Sequence, residues 1–506
     1  MARAAHASGV RRLGLLAALL PVALASCAGP KPTLIPQASS GAVRQLRTGL
    51  DELLAAPGLE TGVWGVLVRS LASEETLYSV NARKLLMPAS SLKVATLAVA
   101  AERLGWDFRY ETRLLASGTI GKGVLDGDLV VVGGGDPSLN EADGSMSRVF
   151  ASWADRLTAL GVRVVTGRVI GDDNLFDDES LGSGWMWDDL AYGYSAGIGA
   201  LQVNLNATRV SVTPGPAVGA PATATLGSEG SGLTLQNRVR TGETGSASQI
   251  VVHRPAGRAV IEVSGSIALA APPSDRLIAV DNPTLNFVAE LRKALVAHGI
   301  EVRGGAADID ELSEPPRTHD AVVVDMHRSP TLAALAVTLM KISQNQYAET
   351  LLKTLGASTG TASSGGGRRV MREVLEAWGV RPSDLVLADG SGLSRYNLVT
   401  PEALVTTLTR VYQQDRLRGP FEAALPIAGR DGTLWDRLRG TPAEGNLRAK
   451  TGSMTSARSV SGYVSTADGE PLVCAIVANN YHVAPAVIDS VIDRIVARLA
   501  GFTRGR

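Results

Sequence analysis

The chain has 506 residues, and its 49 basic and 49 acidic side chains cancel to zero net charge. That length exceeds a single hydrophobic core and suits about two to four domains. A balanced surface offers no footprint for a polyanion, which excludes nucleic acid as a partner.

The chain opens on a targeting segment. Arg3, Arg11 and Arg12 precede an apolar run, residues 13–24, too short to span a bilayer as a stable helix. Leu24-Ala25-Ser26-Cys27 follows. It resembles a bacterial lipoprotein signal, in which cleavage leaves Cys27 as the lipidated first residue and the lipid ties the chain to a membrane. Ordinary cleavage near Ala25 or Ala28 is the alternative. Both place the mature protein outside the cytoplasm, in the periplasm or cell envelope. The expected divisions are a signal peptide over 1–27 and a polar, Pro-containing tether over 28–41.

Residues 42–54 have helical periodicity, and 62–70 with 75–80 alternate like a strand pair. From about 111 to 325, short Val- and Thr-rich strands alternate with Gly, Pro and Asp turns. Gly133-Gly134-Gly135-Asp136-Pro137 lacks the spacing and the Lys of a phosphate loop, so it reads as a structural turn. Trp185-Met186-Trp187-Asp188-Asp189-Leu190 is an aromatic and acidic cluster. Its adjacent carboxylates point apart, which suits capping or turn formation better than acid–base work. Residues 216–248 read as exposed loops and 283–298 as an amphipathic helix. Ser329-Pro330 opens another helix, with Ser as cap, and a second helical stretch runs to 355. Residues 356–367 are Gly/Ser/Thr-rich and read as a mobile loop, followed by a helix near 368–378. Residues 389–394 read as a loop shaped by Asp389 and Ser391, and Asp431 is given a similar role. Residues 447–453 read as a strand, and 460–465 with 471–478 as a hairpin. Cys474 is a small core residue there, and lipidation of Cys27 would leave no disulfide partner. The last helix places Val487, Ile488, Val491, Ile492, Ile495, Val496 and Leu499 on one face. The two ends of the chain can thus build one α/β sandwich, with the middle inserted.

The chemistry concentrates at Met87-Pro88-Ala89-Ser90-Ser91-Leu92-Lys93. A loop becomes an apolar, buried helix there, and positions i and i+3 share a face. Of eight lysines, Lys93 alone has a Ser three positions before it. Ser90 is expected at the helix N-terminus, where free N–H groups favour developing negative charge. Lys93, on a buried helix, loses solvation and can act as a base. Ser343-Gln344-Asn345 and Lys450-Thr451-Gly452-Ser453 follow in order.

Ser-x-x-Lys, Ser-x-Asn and Lys-Thr-Gly in this order resemble the penicillin-binding proteins and serine β-lactamases. About 250 residues separate the first two motifs, far more than a β-lactamase domain requires. That gap, with Trp187-Asp188-Asp189-Leu190, Asp389-Gly390-Ser391-Gly392-Leu393-Ser394-Arg395 and Leu425-Pro426-Ile427-Ala428-Gly429-Arg430-Asp431-Gly432-Thr433-Leu434, narrows the resemblance. The chain is similar to the D-alanyl-D-alanine carboxypeptidase/endopeptidase group, the class C low-molecular-mass penicillin-binding proteins or S13 peptidases. The resemblance implies a transpeptidase-like α/β sandwich from 42–113 and 330–506. It also implies two mainly β insertions, one over 114–140 and 230–329 and a nested one over 141–229. Gln344 departs from the Asp or Asn usual in the family, the loop 356–367 is more degenerate, and Cys27 is not a general family trait.

The resemblance also implies roles. Ser90 is the nucleophile on a terminal D-Ala-D-Ala bond, and Lys93 its base, kept neutral by desolvation and by Lys450. Ser343 relays a proton to the leaving amine. Asn345 holds Lys93 and the substrate amide. Backbone N–H groups of Ser90 and Ser453 form the oxyanion hole. Lys450, Thr451 and Ser453 bind the substrate carboxylate, and Gly452 leaves room for substrate along the strand. The implied partners are peptidoglycan peptides, with β-lactams as covalent inhibitors. No cofactor or metal is needed, and the six His form no H-x-H or H-E-x-x-H pattern. The alternatives are a serine β-lactamase, a non-catalytic wall-binding protein, and an esterase or D-aminopeptidase on the same core.

Overall fold

Period-two alternation sets the centre of the molecule. Along strand Pro471–Asn479, Leu472, Cys474, Ile476 and Ala478 enter one apolar cluster, and Val473, Ala475 and Val477 enter another. The strand is therefore buried on both faces, which requires a layer of helices on each. The computed structural model describes residues 41–360 and 362–505. The signal segment, Cys27 and the tether up to residue 40 lie outside them.

The central sheet has five strands, all antiparallel. Their order is Arg448–Met454, Ala457–Ser465, Pro471–Asn479, Val63–Ser70 and Thr76–Val80. Helices Gly41–Leu54 and Pro485–Ala500 cover one face. Helix Lys93–Leu104 lies under the other, packed among Leu332–Lys341, Asn345–Ala357, Ser364–Ala377, Pro401–Gln413 and Asp415–Ala424. This is the expected α/β sandwich, built from both ends of the chain. Cys474 is fully buried in it, and burial pushes its thiol up to about 12.

Between residues 111 and 328 the chain forms a seven-stranded sheet and two three-stranded sheets. The larger sheet joins Glu111–Gly121, Val124–Val132 and Val322–Arg328 to four short parallel strands. Helices Ser145–Ala159 and Pro283–Ala297 cover it through Phe150, Trp153 and Phe287. The small sheets use strands between residues 207 and 279.

Several expectations change. The inner boundaries at 141 and 229 cut across the pairing. Strands Val164–Val165 and Val169–Asp172 belong to the larger sheet, while Thr234–Gly242, Gln249–His253 and Val260–Ala268 form one small sheet. Residues 216–248 hold two strands, Thr223–Leu226 and Thr234–Gly242, rather than loops alone. The first helix begins at Gly41, within the expected tether. Thr331, not Ser329, caps helix Leu332–Lys341. The Ser329 hydroxyl is engaged elsewhere, accepting from Tyr110 N at 2.9 Å. Gly365, Gly366 and Gly367 are helical, because Ser363 caps that helix by accepting from Gly366 N at 3.0 Å. A Cβ at Gly367 would lie 1.9 Å from the Leu352 carbonyl, so glycine permits this close helix crossing. The buried stripe of the last helix begins at Ile488, and Val487 is exposed.

Candidate active site

Ser90 does not sit at the first turn of the α-helix. It lies in a 3-10 turn, Ala89–Leu92, and the α-helix starts at Lys93. Ala89 has φ +47°, a left-handed bend that costs a non-glycine residue energy and needs support. Support comes from strands Arg448–Met454 and Ala457–Ser465 beside the turn. The Ser459 hydroxyl donates to Pro88 O at 2.6 Å, and the Ser91 and Ser459 hydroxyls are 2.8 Å apart. A Cβ on Gly452 would lie 2.2 Å from Ser459 Oγ, 2.6 Å from Pro88 O and 3.0 Å from Ser90 N. Gly452 thus makes room for the turn that carries Ser90, where the sequence reading assigned that room to substrate.

Lys93 is fully buried. Its Nζ lies 2.9 Å from Ser90 Oγ, 2.7 Å from Asn345 Oδ1 and 2.7 Å from Ser391 O. An amide oxygen and a carbonyl can only accept. A neutral amine would spend both N–H groups on them and turn its lone pair to the Ser90 hydroxyl, which can donate. Burial lowers Lys93 to about 7, while Asp389 and Glu349 push the other way. Lys450 is also pushed well below the usual lysine range, by burial first and then by the Lys93 charge. Repulsion between the two ammonium groups is mutual, so each disfavours the protonated form of the other.

Ser343 reaches the same site from a strained turn, with φ +61°, just before helix Asn345–Ala357. Asn345 is the first residue of that helix, and its Nδ2 donates to Tyr194 O at 2.8 Å. Lys450 Nζ donates to Thr451 O at 2.7 Å, and Thr451 Oγ1 donates to Thr433 Oγ1 at 2.6 Å. A cavity of about 390 Å³ opens over these groups, with Ser90, Ser343, Asn345, Thr451 and Ser453 in its lining. The inserted region contributes Met186, Asp188, Asp189 and Tyr194 to the same wall. Of the sequence candidates, only Cys27 falls outside the described residues.

The site also uses groups the motifs did not mark. Glu349, fully buried, accepts from Gly390 N at 3.0 Å and Ser391 N at 2.7 Å, fixing the carbonyl that receives Lys93. Burial, then the Asp389 charge, raises Glu349 to about 7. Asp389 accepts from Gly392 N, Ser394 N and Asn397 Nδ2, confirming it as a loop-shaping residue. Elsewhere among the described residues, only Asp173, Asp308 and Asp310 converge closely enough to share an ion. Thr284 and Asn282 donate to two of them, and none lines the cavity.

Comparison with known proteins agrees with this geometry. Residues 46–501 match the family described as D-Ala-D-Ala carboxypeptidase 3 (S13). A D-alanyl-D-alanine carboxypeptidase of Actinomadura sp. (strain R39) is 39% identical over 98% of this chain and 91% of its own. The D-alanyl-D-alanine carboxypeptidase DacB of Haemophilus influenzae is 28% identical over 82% of this chain and 85% of its own. The crystal structure of penicillin binding protein 4 (dacB) from H. influenzae superposes with a TM-score of 0.77 at 26% identity, over 89% of this chain and 99% of that one. A β-lactam complex of that H. influenzae protein has also been solved. With the match running nearly end to end, the chain belongs to the D-Ala-D-Ala carboxypeptidase 3 (S13) family.

Proposed function

We propose that the chain is a serine D-Ala-D-Ala carboxypeptidase acting on peptidoglycan stem peptides, with D,D-endopeptidase cleavage of cross-links as a second use of the same site. The observation that carries this reading is the Lys93 amine, held by two acceptors and 2.9 Å from Ser90 Oγ. Ser90 Oγ attacks the carbonyl of the penultimate D-Ala as its proton passes to Lys93. The bond to the terminal D-Ala nitrogen breaks, and Ser343 relays a proton to that leaving amine. The N–H groups of Ser90 and Ser453 stabilise the oxyanion, while Lys450 and Thr451 hold the substrate's terminal carboxylate. Asn345 has a second N–H for the substrate amide beside the one given to Tyr194 O. Water then hydrolyses the ester and frees Ser90. A β-lactam follows the same first step, but its leaving nitrogen stays tethered to the acyl group.

Intact-mass measurement after incubation with penicillin tests this. The wild type should carry one stable adduct on Ser90, and Ser90→Ala none, with release of D-Ala lost as well. Labelling at another residue, or none, would sink the assignment. Loss of the adduct within seconds would favour a β-lactamase. Digestion of cross-linked muropeptides reports the endopeptidase activity separately.

The pH dependence has a definite sign. Lys93 must be neutral to accept the proton, so acylation should rise with pH through a midpoint near the Lys93 value of about 7. A midpoint near the ordinary lysine range would exclude Lys93 as the desolvated base.

The substrate places the chain outside the cytoplasm. Among the described residues no helix is long and apolar enough to cross a membrane. A lipid on Cys27 would supply the anchor. Cys27→Ser should move the protein from the detergent phase to the aqueous phase on phase partition. An unchanged distribution would leave ordinary signal cleavage as the better account.

A further inference from the structure

The inserted segment 173–198 lies against the catalytic core at several points. The fully buried Lys353 donates to Asp177 O at 2.9 Å and to Asp177 Oδ1 at 2.6 Å. Asp177 N donates to Ala362 O at 2.9 Å. Two further bonds reach the surroundings of Lys93. Tyr194 O accepts from Asn345, and Trp185 Nε1 donates to Asp389 Oδ2 at 3.0 Å. Among the described residues, every other donor to Asp389 lies within its own loop, between Ser391 and Asn397. Trp185 is thus the link from the insertion to a carboxylate buried behind the base.

We propose that Trp185 is a positioning residue that aims the Asp389 carboxylate at Lys93, so that the inserted segment helps set the proton affinity of the base. This rests on Lys93 serving as the base for Ser90. Four charged groups surround the setting. Glu349 faces Lys93 from helix Asn345–Ala357, Asp389 from its loop, and Lys450 from strand Arg448–Met454. Arg368, on helix Ser364–Ala377, reaches the same loop at Ala388 O, 2.9 Å away. The Asp389 charge favours the protonated form of Lys93 and opposes burial. Without the indole N–H, Oδ2 loses its one restraint from outside the loop, and the field at Lys93 weakens. Lys93 then gives up its proton at lower pH.

Trp185→Phe keeps an aromatic side chain and removes the N–H donor together with part of the ring. The test is the acylation rate by a fluorescent penicillin from about pH 5 to 9, for wild type and variant. The variant's midpoint should fall by about half a pH unit. Asp389→Asn should shift it further in the same direction, and adding Trp185→Phe to that background should shift it no more. A merely structural tryptophan would lower the plateau or the melting temperature and leave the midpoint in place. An unchanged or raised midpoint overturns the proposal. A wild type that is never acylated at Ser90 defeats the catalytic reading instead, so the two failures are distinct. If Trp185→Phe does not fold, the wild type decides. With 15N-labelled indoles, one of its seven tryptophan N–H resonances should move with the same midpoint as acylation, and seven static resonances overturn the proposal.

Discussion

Lys93→Met is expected to slow acylation by penicillin about a thousandfold, in line with the loss of a general base. Methionine matches the lysine stem in length, so the buried channel stays filled. The stability change should be small because two effects oppose each other. Asn345 Oδ1 and Ser391 O lose a donor, which costs about 1–3 kcal/mol for a buried acceptor left unsatisfied. A buried amine that burial already penalises disappears at the same time. Stopped-flow acylation and a thermal melt check the two halves. A variant acylated at near wild-type rate would show that Ser90 loses its proton by another route. A large drop in melting temperature would show that the network chiefly holds the fold.

Gly452→Ala should be nearly as damaging, for a different reason. The new methyl would meet Ser459 Oγ and the Pro88 carbonyl at distances no real Cβ adopts. Strand Arg448–Met454 and the Ala89–Leu92 turn would have to separate. Overpacking of this kind costs about 1–3 kcal/mol. The catalytic loss is larger, since the two N–H groups expected to hold the oxyanion lie one on each side of the gap. A displacement of about 1 Å there can cost a hundredfold in rate. The acylation rate should fall by about that factor while Lys93 keeps its midpoint. A normal rate would mean that the strand and turn adjust without moving those donors.

The three motifs were legible because each pairs a local structural cue with a reactive residue. Ser90 and Lys93 stand where an apolar helix begins, and Lys450 on a strand with a glycine two positions on. The terminal helices and the hairpin were equally readable from their periodicity. Glu349 was not. In the sequence it is a polar residue within a helix, the usual mark of a solvent face. Its burial arises because the loop 389–394 folds over it, from forty residues away, and feeds it two backbone N–H groups. Trp185 stands out in sequence as part of an aromatic and acidic cluster, but its partner lies 204 positions on. The strands of 223–242 were missed because Thr, Asn and Arg interrupt their apolar alternation, and a three-stranded sheet buries few side chains. Gly365 to Gly367 misled for the opposite reason. Their composition signals a loop, yet a serine cap and a tight helix crossing place them in a helix.

The central sheet joins Val63 to Asn479, its neighbour by pairing though roughly 400 residues later in the chain. Loop-closure entropy grows only with the logarithm of that separation, so the long insertion costs little at equilibrium. Its effect is on timing, because non-local strand pairing slows folding. During synthesis the helix with Ser90 and Lys93 emerges early, but the sheet edge that supports its turn arrives among the last residues. The chain is therefore expected to stay inert until the final hairpin docks and supports the turn that carries Ser90. A chain truncated before residue 448 should carry Ser90 and Lys93 yet leave penicillin untouched.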